Sequence, residues 1–279
     1  MSDTVFKPDA VAVVTGGAAG IGLAIAKEFA SRGMTLVVVD NRPDHFSEAE
    51  AALRGAGATD VMTSATDVSD LQQVIALEQA VADRFGGTDV LVNNAGIQPG
   101  SSMFGPMEAW RAVLETNLWG IIHGTHSFAP RMIDRGRPGM IINTGSKQGI
   151  TTPPGDPAYN VAKAGVKAYT EALAYDLRNT EGAKITAHLL IPGFVFTGLT
   201  ASGRSEKPEG AWTPEQTAAF MMERLAEGDF YILCPDNDVS RALDQKRMAW
   251  AIGDIIENRP PLSRWHPEYA DAFEAFVKS

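Results

Sequence analysis

The chain has 279 residues, 44% of them hydrophobic, with one cysteine and a formal net charge of −10. That length and apolar share suit one α/β domain that needs no disulfide staple. The acidic balance, without a visible Lys/Arg cluster, argues against nucleic acid as a partner, and no stretch approaches the roughly 18 apolar residues of a membrane span.

The opening Met-Ser-Asp-Thr-Val-Phe-Lys-Pro lacks the apolar run of a signal peptide, so the expected compartment is the cytoplasm. A Val-rich strand is expected at Ala10–Val14. It runs straight into Thr15-Gly-Gly-Ala-Ala-Gly-Ile-Gly22, and a helix over Ile21–Arg32 follows. In this context Gly16 permits a tight turn and Gly20 a close backbone approach to a pyrophosphate. Gly22 permits close packing of a helix whose N-terminus favours phosphate. Gly33 is a plausible left-handed stop for that helix. A second strand, Thr35–Asp40, ends in a carboxylate suited to both hydroxyls of an adenosine ribose. Such a carboxylate repels a 2′-phosphate, so NAD is expected over NADP, although Arg42 could tolerate the phosphate.

Helix Ser47–Ala56 leads to strand Val61–Ala65 and to Asp67-Val68. Helix Leu71–Phe85 leads to strand Asp89–Asn93 and to Asn93-Asn94-Ala95-Gly96. A long helix is expected over Met107–Arg135. It carries Asn117 and the pair His123 and His126, for which helix surface or packing is the expected role, since no third metal ligand has suitable spacing. Strand Met140–Thr144 stops just short of Ser146, whose hydroxyl can polarise a substrate oxygen. Helix Tyr159–Asn179 opens on Tyr-Asn-Val-Ala-Lys, so Tyr159 and Lys163 share one helix face. A free phenol is a poor base near neutrality, and a neighbouring ammonium is expected to lower its pKa. Strand Ile185–Ile191 precedes Pro-Gly-Phe-Val-Phe-Thr197 and a polar loop, Gly198–Gly210, which is the best candidate for mobility. Helix Pro214–Glu227 and strand Phe230–Leu233 follow. Cys234 is expected to be a small core residue. The last stretch, residues 239–279, reads as helical and then irregular, a C-terminal extension of a single domain spanning 1–279.

This set of motifs, in this order, resembles the short-chain dehydrogenase/reductase family over about residues 10–235. The Gly-x-x-x-Gly-x-Gly spacing is the family's own. The resemblance implies a doubly wound Rossmann-type fold, a seven-stranded parallel sheet of order 3-2-1-4-5-6-7 with helices on both faces. It implies a catalytic set of Asn117, Ser146, Tyr159 and Lys163, in which Asn117 shapes its helix and holds a water linking Lys163 to solvent. It also implies a dinucleotide site of Gly16, Ala19, Gly20, Ile21, Gly22, Asp40, Asp67, Val68, Asn94, Ala95, Gly96, Tyr159, Lys163, Pro192, Gly193, Val195 and Thr197. Asp67 should meet the adenine amino group, Val68 the ring, Lys163 the nicotinamide ribose, and Asn93 should brace the sheet. No metal is implied.

The expected reaction is hydride transfer between NAD and a secondary alcohol or ketone, with hydrophobic or aromatic flanks. Substrate contacts are expected from Ser146, Tyr159, Gln98, Gln148, Phe194, Phe196 and Leu199. Ile150, Thr151, Thr152, Pro153, Trp212, Phe220 and Met221 lie nearby, and a substrate loop spans 194–228. Gln98 and Gln148 leave a sugar or polyol substrate open. Sugar-nucleotide epimerases share the tyrosine–lysine pair but are longer, and a non-catalytic NAD sensor commonly lacks one of the four catalytic residues. A homodimer or homotetramer is expected, with Ala162, Gly165 and Ala168 allowing helices to pair. The tail aromatics Trp265, Tyr269, Phe273 and Phe276 should dock on their own core or on a neighbour's.

Overall fold

Short runs of β-branched residues that are buried on both sides become parallel strands, because each face is covered by helices. In the computed structural model, which describes residues 5–201 and 203–279, these strands are β1 (Val11–Thr15), β2 (Thr35–Asp40), β3 (Val61–Ala65), β4 (Val90–Asn93), β5 (Gly139–Thr144), β6 (Ile185–Ile191) and β7 (Tyr231–Leu233). They form one parallel sheet of order β3-β2-β1-β4-β5-β6-β7, as expected. The expected readings at Met1–Thr4 and at Ser202 lie outside the described residues.

The alternation along β1 sorts the helices onto two faces. Ala12 and Val14 join a core with α1 (Gly20–Ala30), α2 (Phe46–Ala56) and α8 (Pro214–Ala226). Val11 and Val13 join the opposite core with α3 (Leu71–Phe85), α5 (Gly120–Asp134) and α7 (Pro157–Asn179), the last preceded by the one-turn α6 (Gln148–Thr151). The strand order reverses direction between β1 and β4. Their C-terminal ends therefore splay open into the crevice where such sheets take ligands.

Several boundaries shift for local reasons. β4 starts at Val90 because the Asp89 carboxylate accepts from Val11 N–H at 2.9 Å and pairs with Arg135 at 3.0 Å. Gly33 takes the expected left-handed conformation, with φ of 72°. The long helix expected over Met107–Arg135 is broken. It runs as α4 (Met107–Leu114), a π-helical turn over Glu115–Trp119, and α5. The extra residue of that turn coincides with Asn117, fully buried and turned back onto the loop after β4.

The small residues of α7 do not form an open stripe. Ala162 packs against Val113 within its own subunit, and Gly165 faces Leu118 so closely that a Cβ there would lie 3.0 Å from a leucine methyl. Only Ala168 is left exposed.

The tail is more regular than its proline-rich sequence suggests. α9 (Arg241–Ile256) begins at Ser240, whose hydroxyl accepts from Leu243 N–H at 3.3 Å. Two 3₁₀ turns and α10 (Ala270–Lys278) then fold back onto it. Trp250 is the pivot. Its indole N–H donates to Ser263 Oγ at 2.7 Å, its ring meets Phe273 and Phe276, and Arg259 stacks 4.1 Å above it. Two of the four tail aromatics thus dock on the extension's own tryptophan.

Candidate active site

A cavity of about 630 Å³ occupies the crevice at the C-terminal ends of β1, β2, β4, β5 and β6. Its walls bring together every expected dinucleotide residue except Gly22: Gly16, Ala19, Gly20, Ile21, Asp40, Asp67, Val68, Asn94, Ala95, Gly96, Tyr159, Lys163, Pro192, Gly193, Val195 and Thr197. Ser146 and Leu199 line it too.

The glycine turn is built from its backbone outward. Gly16 and Gly20 hold positive φ, 61° and 53°. A Cβ at Gly16 would lie 2.9 Å from Ala95 Cα. Gly22 acts from behind the wall, since a Cβ there would sit 2.1 Å from Gly16 O and 2.7 Å from Asn94 Nδ2. It lets the helix pack on the glycine turn itself and on Asn94. Asn94 then locks the turn to β4, donating to Thr15 O at 3.1 Å and accepting from the Thr144 hydroxyl at 3.3 Å. The Thr15 hydroxyl accepts from Asn94 N–H and Ala95 N–H, at 2.9 and 3.1 Å. Thr15 was not singled out by sequence. Its place at the last residue of β1, opposite the Asn-Asn-Ala-Gly segment, is the signal that could have found it.

These walls fit a nicotinamide dinucleotide. Ala19 caps α1 without a side-chain bond, so the first N–H groups of α1 carry no side-chain acceptor where Ala19, Gly20 and Ile21 line the cavity. Asp40 is buried with its carboxylate on the cavity wall. It accepts from Arg42 N–H at 3.1 Å, and the Arg42 guanidinium stands 3.7 Å away, largely in solvent. Asp67 accepts from Ser69 N–H and the Ser69 hydroxyl at 2.9 and 2.7 Å, and the imidazole of His123 reaches Val68 O at 3.0 Å. His123 therefore holds the Asp67-Val68 turn, while His126 is exposed.

Behind the cavity a ladder of buried amides and hydroxyls crosses the sheet. Asn93 donates to the Thr125 hydroxyl at 3.2 Å and to Asn143 Oδ1 at 2.9 Å, and Asn143 donates to the Thr170 hydroxyl at 3.1 Å. The brace expected of Asn93 thus runs from α5 through β4 and β5 to α7.

At the catalytic end Tyr159 and Lys163 are 8% and 4% exposed, so both polar heads sit in a nearly dry wall. Lys163 Nζ donates to Thr144 O at 2.7 Å and lies 5.7 Å from the Tyr159 ring centroid. Burial pulls the Lys163 ammonium down to about 8. Burial pushes the Tyr159 phenol up to about 12; a hydrogen bond with the Ser146 hydroxyl lowers it and the Asp156 charge raises it further. This corrects the expectation that the neighbouring ammonium brings the phenol below its ordinary value. Removing both groups from water outweighs their mutual influence.

Asn117 does not touch the cavity. Its Oδ1 accepts from Ile97 N–H and its Nδ2 donates to Ile97 O, both at 2.8 Å. With both ends of the amide engaged, a water expected here would have to rest on main-chain atoms. Asp156, unnoticed in the sequence, accepts from Gln98 Nε2 at 3.2 Å and from the Ser101 hydroxyl at 2.5 Å, so it ties the loop after β4 to the start of α7.

The expected substrate residues divide. Gln98, Gln148, Phe194 and Phe196 lie outside the cavity wall: Gln98 is turned onto Asp156, Phe194 lies under Arg204, and Phe196 N–H donates to Trp212 O at 2.9 Å. Met221 is fully buried, and Trp212 and Phe220 pack edge to face against the same core, so these three serve the fold. Their apolar character alone could not tell pocket from core. Cys234 is buried in that core as well. Among the described residues no three His, Cys, Asp or Glu side chains converge as a metal site, and no helix is long and apolar enough to cross a membrane.

Comparison with known proteins agrees with this geometry. The family model described as short chain dehydrogenase matches residues 10–208. The 1-deoxy-11-beta-hydroxypentalenate dehydrogenase of Streptomyces exfoliatus is 35% identical over 265 residues, covering 91% of this chain and 93% of that protein. A short-chain dehydrogenase/reductase from Burkholderia phymatum, solved in complex with NAD, superposes with a TM-score of 0.82 at 32% identity, covering 91% of this chain and 96% of that one. An NAD⁺-bound xylitol dehydrogenase superposes with a TM-score of 0.64 at 30% identity, over 77% and 84% of the two chains.

Proposed function

The chain belongs to the short-chain dehydrogenase/reductase family, oxidoreductases that act on alcohols and ketones with a nicotinamide dinucleotide, and from that premise we propose an NAD-dependent enzyme for a secondary alcohol or ketone with apolar flanks. One observation carries the reading. Asp40, the glycine turn, Ser146, Tyr159 and Lys163 all line a single cavity.

A bound nicotinamide supplies the hydride acceptor or donor. The chain's own residues do the rest. Ser146 Oγ and the Tyr159 phenol hold the substrate oxygen between them, and a phenol near 12 stays protonated at neutral pH, ready to donate in the reducing direction. In the oxidising direction Tyr159 first sheds its own proton through the relay and, as phenolate, takes the alcohol proton. Lys163, held by Thr144 O and already poised near 8, relays it toward solvent. Thr144 O fixes the ammonium at the depth of the phenol, so the relay keeps its register when substrate leaves.

The buried carboxylate of Asp40 at the ribose end supports NAD over NADP, since a 2′-phosphate there would face a desolvated negative charge. Ile97, Val195 and Leu199 on the wall support apolar substrate flanks. The two glutamines that would favour a polyol stand outside the wall, although the xylitol dehydrogenase likeness keeps polyols as a comparison class. Exposed Trp119, Val161 and Tyr175 support a homodimer or homotetramer. A panel of aliphatic, aromatic and polyol alcohols, run with NAD and NADP side by side, tests all of this. NAD-linked turnover of apolar alcohols is expected. Turnover of polyols alone, or with NADP alone, would defeat it.

A further inference from the structure

The C-terminal extension has no part in the site so far, yet one of its carboxylates reaches the residue next to Ser146. The Lys147 ammonium sits between two buried carboxylates, 2.6 Å from Asp244 in the first turn of α9 and 3.2 Å from Asp236 just after β7. The Lys147 side chain is 18% exposed, and those of Asp236 and Asp244 are 5% and 7% exposed.

Lys147 and Asp236 also hold backbone at the site, while Asp244 reaches it only through the Lys147 ammonium. Lys147 N–H donates to Pro192 O at 3.3 Å, and Lys147 O accepts from Ile150 and Thr151 N–H at 3.0 and 3.1 Å, closing the short turn that follows Ser146. Asp236 Oδ2 accepts from Phe194 N–H at 3.2 Å, and its Oδ1 accepts from Val239 N–H at 2.8 Å. Gly193 is fitted against the pair itself. A Cβ there would lie 2.5 Å from Asp236 Oδ2 and 2.9 Å from Lys147 Nζ. The Ser146 turn, the Pro192–Phe194 segment and the tail helix therefore meet at one half-buried ammonium.

We propose that Asp244, acting through Lys147, is a positioning residue by which the C-terminal extension sets the spacing between Ser146 and the Pro192–Phe194 segment. This rests on the functional reading above, in which both elements face the reacting atoms. A buried ion cluster can also be simple scaffolding, and two variants tell these apart. Asp244→Asn keeps the shape and removes the charge. Ser240→Ala removes the N-cap of the same helix without touching Lys147.

The full-length protein is assayed for kcat, NADH affinity by fluorescence, melting temperature, and amide hydrogen exchange without cofactor. Asp244→Asn should lower kcat about tenfold or more, in proportion to the misplacement of Ser146. Its NADH affinity should change less than its kcat, and exchange should quicken at residues 146–151 and 192–196 while residues 67–96 stay as in wild type. Ser240→Ala should melt earlier yet keep wild-type kcat and wild-type exchange at both segments. The proposal is overturned if Asp244→Asn retains wild-type kcat, if its added exchange spreads evenly through the sheet, or if Ser240→Ala loses as much kcat. Should Asp244→Asn not fold, Asp244→Ser, which likewise leaves Lys147 paired with Asp236 at 3.2 Å, is read by the same criteria. If the wild type turns over no alcohol, the functional reading fails, and the exchange pattern alone decides the positioning.

Discussion

Replacing Lys163 with methionine should make the protein more stable while abolishing its activity. The wall that holds Lys163 is nearly dry, and burial lowers the ammonium from 10.5 to about 8. Keeping that charge in the folded protein at pH 7 therefore costs about 3 kcal/mol. Methionine has a similar length and no charge, but it gives up the bond to Thr144 O, worth about 1 kcal/mol. The expected gain is about 2 kcal/mol at pH 7. The sign with pH follows from linkage. Below pH 8 the folded and unfolded chains both carry the proton, so the penalty is complete. Between 8 and 10.5 the folded chain sheds it first and the penalty shrinks, to about 1 kcal/mol at pH 9.5. The advantage of Lys163→Met should thus fall to well under 1 kcal/mol at pH 9.5, once the lost bond is counted. Urea unfolding of the cofactor-free protein, followed by tryptophan fluorescence at both pH values, measures it, provided the slopes agree. A variant less stable than wild type at pH 7, or an advantage that does not change with pH, would refute the reasoning.

Other substitutions probe the remaining walls. Asp40→Ser removes the buried carboxylate offered to the ribose hydroxyls. NADH should bind about tenfold or more weaker and NADPH no weaker, by fluorescence titration; an unchanged preference would remove Asp40 from cofactor choice. Tyr159→Phe should cut kcat about a thousandfold at nearly unchanged NADH affinity, and full activity in steady-state assay would end the acid–base assignment. Gly124→Ala would drive a methyl to 2.1 Å from Asn93 Oδ1 inside the buried ladder, with an expected loss of about 2 kcal/mol in chemical denaturation. A neutral result there would mean the ladder yields easily.

The inner strands of the sheet were legible because burial on both faces leaves Val- and Ile-rich runs, whereas the edge strand Val61–Ala65 is only half-buried and reads Val-Met-Thr-Ser-Ala. Thr35–Asp40, Val61–Ala65 and Ile185–Ile191 fall on the expected residues. Helix α3 was equally plain, since Asp70 caps it with bonds to Gln72 and Gln73 N–H and Gly86 closes it at a φ of 78°. The π-helical turn at Asn117 was not legible, because one inserted residue leaves the apolar period of Met107–Arg135 almost intact. The tail was misread because Pro260, Pro261 and Pro267 signal irregular chain, whereas Trp250 and Asp254 gather the turns after α9 into a packed unit. Of the site, residues facing the cavity through backbone motifs were found. Residues acting from behind, such as Thr15, Lys147 and Asp156, have no motif of their own.

The phenol shows most clearly what sequence leaves out. Spacing reveals that Lys163 lies one turn from Tyr159, but not that both are dry, and dryness sets the direction of both shifts. A buried ammonium already lowered to about 8 is a weak lever on a phenol raised to about 12. The remaining lever must arrive with the ligand. An oxidised nicotinamide ring carries a permanent positive charge and its reduced form carries none, so beside the phenol only the oxidised form favours phenolate. A positive charge within about 4–6 Å lowers an acid's pKa by roughly 1 to 3. Ultraviolet difference titration, with Tyr159→Phe as the blank, should place the Tyr159 transition near 12 without cofactor, still high with NADH, and well below it with NAD⁺. Equal transitions in the two complexes would mean that the ring charge does not reach the phenol, and that the proton relay must be driven from Lys163 alone.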